Sequence, residues 1–225
     1  MSCPHVAGIA ALIRGAHPTW TPAAIKSALM RSSVLLDIRK SPIRDSFTGL
    51  TANAFAMGAG HVNPNAALDP GLIYDLGMDD YISFLCSLNY TAKQIHILTR
   101  NATSCPKLSS APGDLNYPSF SVVFNPRSLV CVTSRSVTNV GGAPCEYEVA
   151  VESPGNVNIT VEPRTLAFGK QNEKATYTAT FESRIAADHK PKGRQAFGQI
   201  LWKCVKGGTQ VVRSPVAITW NYREE

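Results

Sequence analysis

From Leu115 onward the sequence is a succession of short runs rich in Val, Thr and aromatics: LNYPSFSVVF, VCVTSRSVTNVG, CEYEVAVES, VNITVEP, ATYTATFES, GQILWKCV and VVRSPVAITW. Gly, Pro and Asn turns part them. Branched and aromatic side chains suit a pleated, half-buried surface, and turns at these intervals stop each run before it can become a long helix. Two runs alternate cleanly. Cys145, Tyr147, Val149 and Val151 share a face against Glu146, Glu148 and Glu152, while Ala175, Tyr177, Ala179 and Phe181 oppose Thr176, Thr178 and Thr180. One apolar and one polar face per strand describes sheets packed on one side only. About seven such strands predict a two-sheet sandwich with Trp202 and Trp220 in its core and Ile200 and Ile218 on matching faces.

The front of the chain has a different period. Val6, Ile9, Ala10 and Ile13 fall at helical spacing with no charge before Arg14, which predicts a buried helix over residues 6 to 13. A second helix follows. Thr21 is a fitting N-cap, Pro22 occupies the first helical position, Ile25 and Leu29 form an apolar pair, and Lys26 and Arg31 face water. Residues 32 to 51 read as a loop. In AMGAGHVNPNAALDPGLIYDL, Gly58, Gly60, Pro64, Pro70 and Gly71 punctuate a short strand, a turn and a short helical run. Asp79 and Asp80 open a helix carrying Tyr81, Phe84, Leu85 and Leu88. Thr91 and Gln94 form a capping box for another.

Several residues invite a catalytic reading that their surroundings do not support. Cys3 and His5 stand two apart on a helix, where side chains point about 100–200° away from each other. His61 has no partner within local reach, and the adjacent Asp79 and Asp80 act as capping carboxylates. The cysteines include no Cys-x-x-Cys pair and no ligand-spaced His pair, so no metal site is expected. Cys86 and Cys105 bracket a compact stretch and are candidates for a disulfide contributing roughly 3 kcal/mol; two free buried thiols are the alternative. Cys131, Cys145 and Cys204 have no assignable partner. Acceptor sequons for N-glycosylation begin at Asn89, Asn101 and Asn158.

The net charge of +6 would permit a nucleic-acid partner, but Lys and Arg are interleaved with acids. The densest basic stretch, Lys190, Lys192 and Arg194, lacks aromatic neighbours and reads as a solvated loop. No apolar run approaches the length that spans a bilayer. No basic residue precedes residues 6 to 13, so that run is not read as an export signal.

Met1 to His5, followed by a helix, resembles the segment behind the nucleophile in subtilisin-like serine proteases, whose plant members carry Gly-Thr-Ser-Met-Ser-Cys-Pro-His. AMGAGHVNPNAALDPGLIYDL resembles the segment that closes their protease domain. LNYPS, RSVTNVG and VRSPV resemble their C-terminal fibronectin type III-like domain. Arg31 and Ser32 stand where the family usually has two threonines, and Ser136 replaces a more usual Thr.

The resemblance implies an α+β chain: the C-terminal piece of an α/β subtilisin-like domain (residues 1–76), a helical connector (77–112) and an all-β fibronectin type III-like sandwich (113–225). It implies a part of a serine endopeptidase, inactive alone because the reactive serine would precede Met1 and the family's His and Asp lie further upstream. No catalytic, metal or cofactor-binding residue is carried over, and no cofactor is implied. The implied partners are the remainder of the protease chain and polypeptide substrates, with neither nucleic acid nor membrane. The implied location is extracellular, in the apoplast or cell wall, or cytosolic were Met1 the true start. In that case the first seventy-odd residues would be loosely ordered or aggregation-prone beside a sandwich, from about residue 115, that folds alone. The alternative function is a stand-alone β-sandwich interaction module without enzymatic role.

Overall fold

A computed structural model describes residues 2–101, 105, 111–186 and 194–221. Met1, Lys190 and Lys192 lie outside the described residues. Helices α1 (Ser2–Ala16), α2 (Pro22–Arg31), α3 (Ala54–Met57) and α4 (Pro64–Leu68) precede a two-residue strand, β1 (Leu72–Ile73). Then come α5 (Met78–Ser87), α6 (Ala92–Thr99) and a 3-10 turn at Pro112–Asp114. The strand region holds β2 (Phe120–Phe124), β3 (Val130–Asn139), β4 (Cys145–Glu152), β5 (Val157–Glu162), β6 (Thr165–Phe168), β7 (Lys174–Ser183), β8 (Gln195–Lys206) and β9 (Val211–Trp220).

The strands form two sheets, ordered β1-β3-β7-β5 and β2-β9-β8-β4-β6. Within them β2 runs parallel to β9 and the other neighbours are antiparallel. The apolar rows read from the sequence meet between the sheets. Tyr177, Ala179 and Phe181 face Ile200, Trp202, Val216, Ile218 and Trp220 in one buried cluster. Tyr177 stands edge-on to Trp202 at 5.1 Å, an arrangement that adds to the area each ring buries. Helices in front and a sandwich behind make the chain α+β, as the sequence predicts.

The outer edge of β3 is finished by residues from elsewhere. The Asn139 N–H bonds to the Glu173 carbonyl, so odd-numbered residues of β3 face β7 and even-numbered ones face outward. Val140 N–H reaches the Gly71 carbonyl at 2.8 Å, and β1 pairs Ile73 with Thr138. Below that, side chains take over from backbone. Asn116 accepts the Ser136 N–H at 2.9 Å and donates to the Ser136 carbonyl at 2.8 Å, and Asp114 accepts the Ser134 N–H at 3.2 Å. A strand edge that would otherwise offer free donors is thereby closed.

The helix caps lie where the sequence puts them. Thr21 Oγ1 accepts the Ala24 N–H, Asp80 accepts the Gly77 N–H, and Thr91 with Gln94 closes a capping box. What the helices bury is different. Of residues 6 to 13 only Ile13 is buried; Val6 is 41% and Leu12 70% exposed, and α1 rests mainly on α2 and α4. On α2 the buried face is not the Ile25 and Leu29 pair but Ala23, Ala24, Ser27, Ala28 and Arg31. These small side chains let α2 approach β1 and β9, with Ala24 and Ala28 packed on Ile73, Trp20 and Val140. Ser27 Oγ accepts the Tyr74 N–H at 2.8 Å. The front segment is therefore seated on the sandwich.

Asn116→Ala removes both bonds to Ser136 and one to the Asp75 carbonyl. Urea unfolding should show a loss of about 1–3 kcal/mol for the strand groups left without partners. An unchanged midpoint would mean that water takes the place of the side chain.

Candidate functional site

Ser2, Cys3 and His5 lie exposed on the first turns of α1, and the Cys3 thiol forms no disulfide. His61 pairs through its backbone with Val34 in both directions at 2.8 Å, and its Nδ1 lies 3.1 Å from the Val62 carbonyl. Asp79 and Asp80 open α5, where Asp80 caps. Among the described residues no group of three or more His, Cys, Asp or Glu side chains could hold a metal ion. A polar cavity of about 420 Å³ lined by Asp75, Asp80, Asp114 and Asn116 has its carboxylates already engaged. Asp75 accepts the Thr21 hydroxyl and the Leu76 N–H, Asp80 caps α5, and Asp114 takes the Ser134 N–H.

Cys86 and Cys105 are joined by a disulfide with Cα atoms 5.6 Å apart, tying the end of α5 to the stretch beyond α6. Cys131, Cys145 and Cys204 are unbonded. Burial pushes the Cys131 and Cys145 thiols above their ordinary range, with Asp114 and Cys204 respectively adding to it. Asn89 sits exposed in the turn between α5 and α6 and Asn101 is exposed after α6, its sequon running into residues outside the described set. Asn158 is half-buried on β5.

The chemistry concentrated inside the molecule is a seam of three arginines, only 1–8% exposed, that the sequence did not announce. Arg31, expected to face water, leaves the last turn of α2 and lies over the Tyr74 ring at 4.5 Å. Its Nη1 and Nη2 donate to Ser214 Oγ on β9 at 2.6 and 2.8 Å, and Nη2 also reaches the Pro118 carbonyl at 3.0 Å. Tyr74 Oη lies 3.1 Å from Ser214 Oγ and 2.5 Å from Tyr177 Oη, carrying the network into the sandwich core. Arg213 turns the other way, donating to Ser33 Oγ at 3.0 Å and to the Ala59 carbonyl. Arg135 on β3 holds the Gly113 and Tyr117 carbonyls at 2.8 and 3.2 Å and covers the Phe120 ring.

These bonds run to carbonyl and hydroxyl oxygens, so the charges are solvated by fixed dipoles. Burial lowers the Arg31 and Arg135 guanidinium pKa values and brings that of Arg213 to about 10, where Arg31's charge adds to the effect. Burial, then Tyr74, holds the Tyr177 phenol well above its ordinary range. Such a seam does no bond chemistry. Arg31 and Arg213 clamp the helical segment to the sandwich, and Arg135 holds the turn that leads into β2. Ala24, Ala28 and Arg31 recur at four and three residues, so one face carries all three; that row of small residues was the available signal.

Two family models match. The subtilase family covers residues 1–62 and the fibronectin type-III domain covers residues 114–218. The chain is similar to the Arabidopsis thaliana proteins subtilisin-like protease SBT1.4 (46% identity over 98% of this chain and 29% of the relative) and SBT1.7 (47%, 98% and 28%). It is 42% identical to subtilisin-like protease SBT3 of Solanum lycopersicum over 96% of this chain and 28% of that one. The chain thus spans under a third of the length of these relatives. The solved periplasmic chaperone SfaE aligns over 48% of this chain and 58% of its own at 13% identity with a TM-score of 0.31, a match too slight to add to the strand order above.

Ser214→Ala leaves the buried Arg31 guanidinium short of an acceptor. It should cost about 1.5–3 kcal/mol in denaturant unfolding, the range for bonds to charged groups. A thiol reagent at pH 8 should modify Cys3 rapidly and Cys131 and Cys145 slowly, since exposure favours the first and burial holds the others protonated. Equal rates at Cys3 and Cys145, followed by peptide mass spectrometry, would contradict this packing.

Proposed function

Because the chain belongs to the plant subtilisin-like proteases and corresponds to their C-terminal portion, we propose that it works as the scaffold portion of a serine endopeptidase acting on polypeptides. In this reading a serine, histidine and aspartate N-terminal to residue 1 perform acyl transfer, and no cofactor takes part. The serine sits at the N-terminal end of α1, where free backbone N–H groups and the helix dipole favour developing negative charge. The residues of this chain hold that helix in place. α1 rests on α2, and α2 is clamped through Arg31 to Ser214 and Pro118.

The single observation that carries the reading is this seating of α2 on β1 and β9. It speaks against a sandwich that works as a free-standing module, which would need no buried helix against it. Residues 1–76, 77–112 and 113–225 serve as the protease-domain piece, connector and sandwich, with β1 lending the first piece to the sheet of the last. The Cys86–Cys105 disulfide and the sequons at Asn89, Asn101 and Asn158 support a secreted, glycosylated protein located outside the cell.

A fluorophosphonate probe, which reacts with activated serines, tests the assignment. The 225-residue chain should take no label, and a chain extended upstream through the triad should be labelled at the serine preceding Met1. Labelling of any residue of this chain, or a folded extended chain that takes no label, overturns the reading.

A further inference from the structure

The sheet that holds β3 is finished differently at its two ends. On the β3 side, the N–H row from Ser134 to Val140 is met by Asp114, Asn116, β1 and Gly71. At the other end lies β5, which among the described residues pairs with β7 alone. The Arg184 N–H bonds to the Asn156 carbonyl while the Ser183 N–H bonds to the Leu129 carbonyl, and this sets the phase of β7 between its two neighbours. Asn158 and Thr160 therefore exchange hydrogen bonds with Glu182 and Thr180, and Ile159 and Val161 turn their backbone N–H and C=O groups outward. Those two side chains are buried, and residues 157 to 162 contain neither lysine nor proline. An open edge of this kind is a template for pairing with another strand.

The sequon Asn158-Ile159-Thr160 lies on this strand. Asn158 points to the outer face of the sheet, half-buried, and its Nδ2 donates to Glu182 Oε2 at 3.2 Å; Thr160 is exposed. The amide nitrogen carries two hydrogens, so a sugar can replace one while the other keeps the bond to Glu182. The neighbouring residues then fix the direction in which the sugar leaves. Asn89 lies in the turn between α5 and α6.

We propose that Asn158 carries an N-linked glycan that shields the open edge of β5 from a second copy of the chain. The inference rests on the secretory origin proposed above. The donor is a lipid-diphosphate-linked oligosaccharide. Asn158 Nδ2 forms a bond to the anomeric carbon, the sugar–phosphate bond breaks, and the lipid diphosphate leaves with its electron pair as the amide gives up a proton.

The test is to secrete the full chain from a plant cell behind an export signal, map the glycopeptides by mass spectrometry and measure mass in solution by light scattering. Asn158 should be occupied and the protein monomeric. Thr160→Ala, which abolishes the sequon but keeps Asn158 and its bond to Glu182, should raise the mass to at least twice the monomer with rising concentration. Enzymatic removal of the glycan from the folded protein should do the same, and serves where the variant does not fold. A bare Asn158 beside glycans at Asn89 or Asn101 overturns the inference and leaves the secretory reading standing. Bare acceptors throughout together with reduced Cys86 and Cys105 overturn both. An occupied Asn158 whose removal leaves a monomer overturns the shielding role.

Discussion

The arrangement depends on one buried guanidinium. Arg31 comes from a helix in the first segment, yet its acceptors are Ser214 on β9 and the Pro118 carbonyl just before β2. A charge in such a place is tolerable only when its hydrogens find oxygens, and the two terminal nitrogens do, while Nε has no partner among the described residues. Tyr74 supplies a ring face to the cation and passes the network on to Tyr177. The link is geometrically demanding. A planar fork accepts few orientations, so the bond fixes the angle of α2 as well as its position.

Edge closure on β3 answers a related demand. An edge strand must dispose of every second N–H, and here the answer comes from the residues just ahead of β2. Asn116 imitates a strand with its carboxamide, offering one acceptor and one donor at the spacing of a backbone pair. The same amide nitrogen donates to the Asp75 carbonyl, three residues beyond the start of β1. One side chain thus joins the end of the helical segment, the stretch ahead of β2 and the sheet. Within LNYPS, Asn116 acts through its side chain; Tyr117 and Pro118 contribute backbone carbonyls, which receive Arg135 and Arg31.

The sandwich was legible because alternation declares which face of a strand is apolar, and Trp202, Trp220, Ile200 and Ile218 had nowhere else to go. The caps at Thr21, Asp80 and Thr91 were legible because capping is decided within a few residues. What covers an apolar helix is decided by distant chain, and there the sequence misled. Residues 6 to 13 are apolar yet largely exposed, while Ile25 and Leu29 gave way to alanines as the contact face. Bulk is the usual sign of a buried face, but close approach of a helix to a sheet selects for lack of bulk. Arg31 was misread for the same reason, because its charge hid the fact that it continues the row of Ala24 and Ala28.

Arg31 also shows why such a seam must change as a set. With a threonine there, as in the pattern this chain resembles, the hydroxyl would end near the helix and could not span to both Ser214 and the Pro118 carbonyl. Tyr74 would lose the cation on its ring, and buried polar atoms on three segments would need new partners or replacement by apolar groups. Replacing a buried charged group together with its acceptors by well-packed apolar residues is often neutral, whereas removing one member alone is costly. The arginine and its oxygens therefore behave as a single unit of sequence.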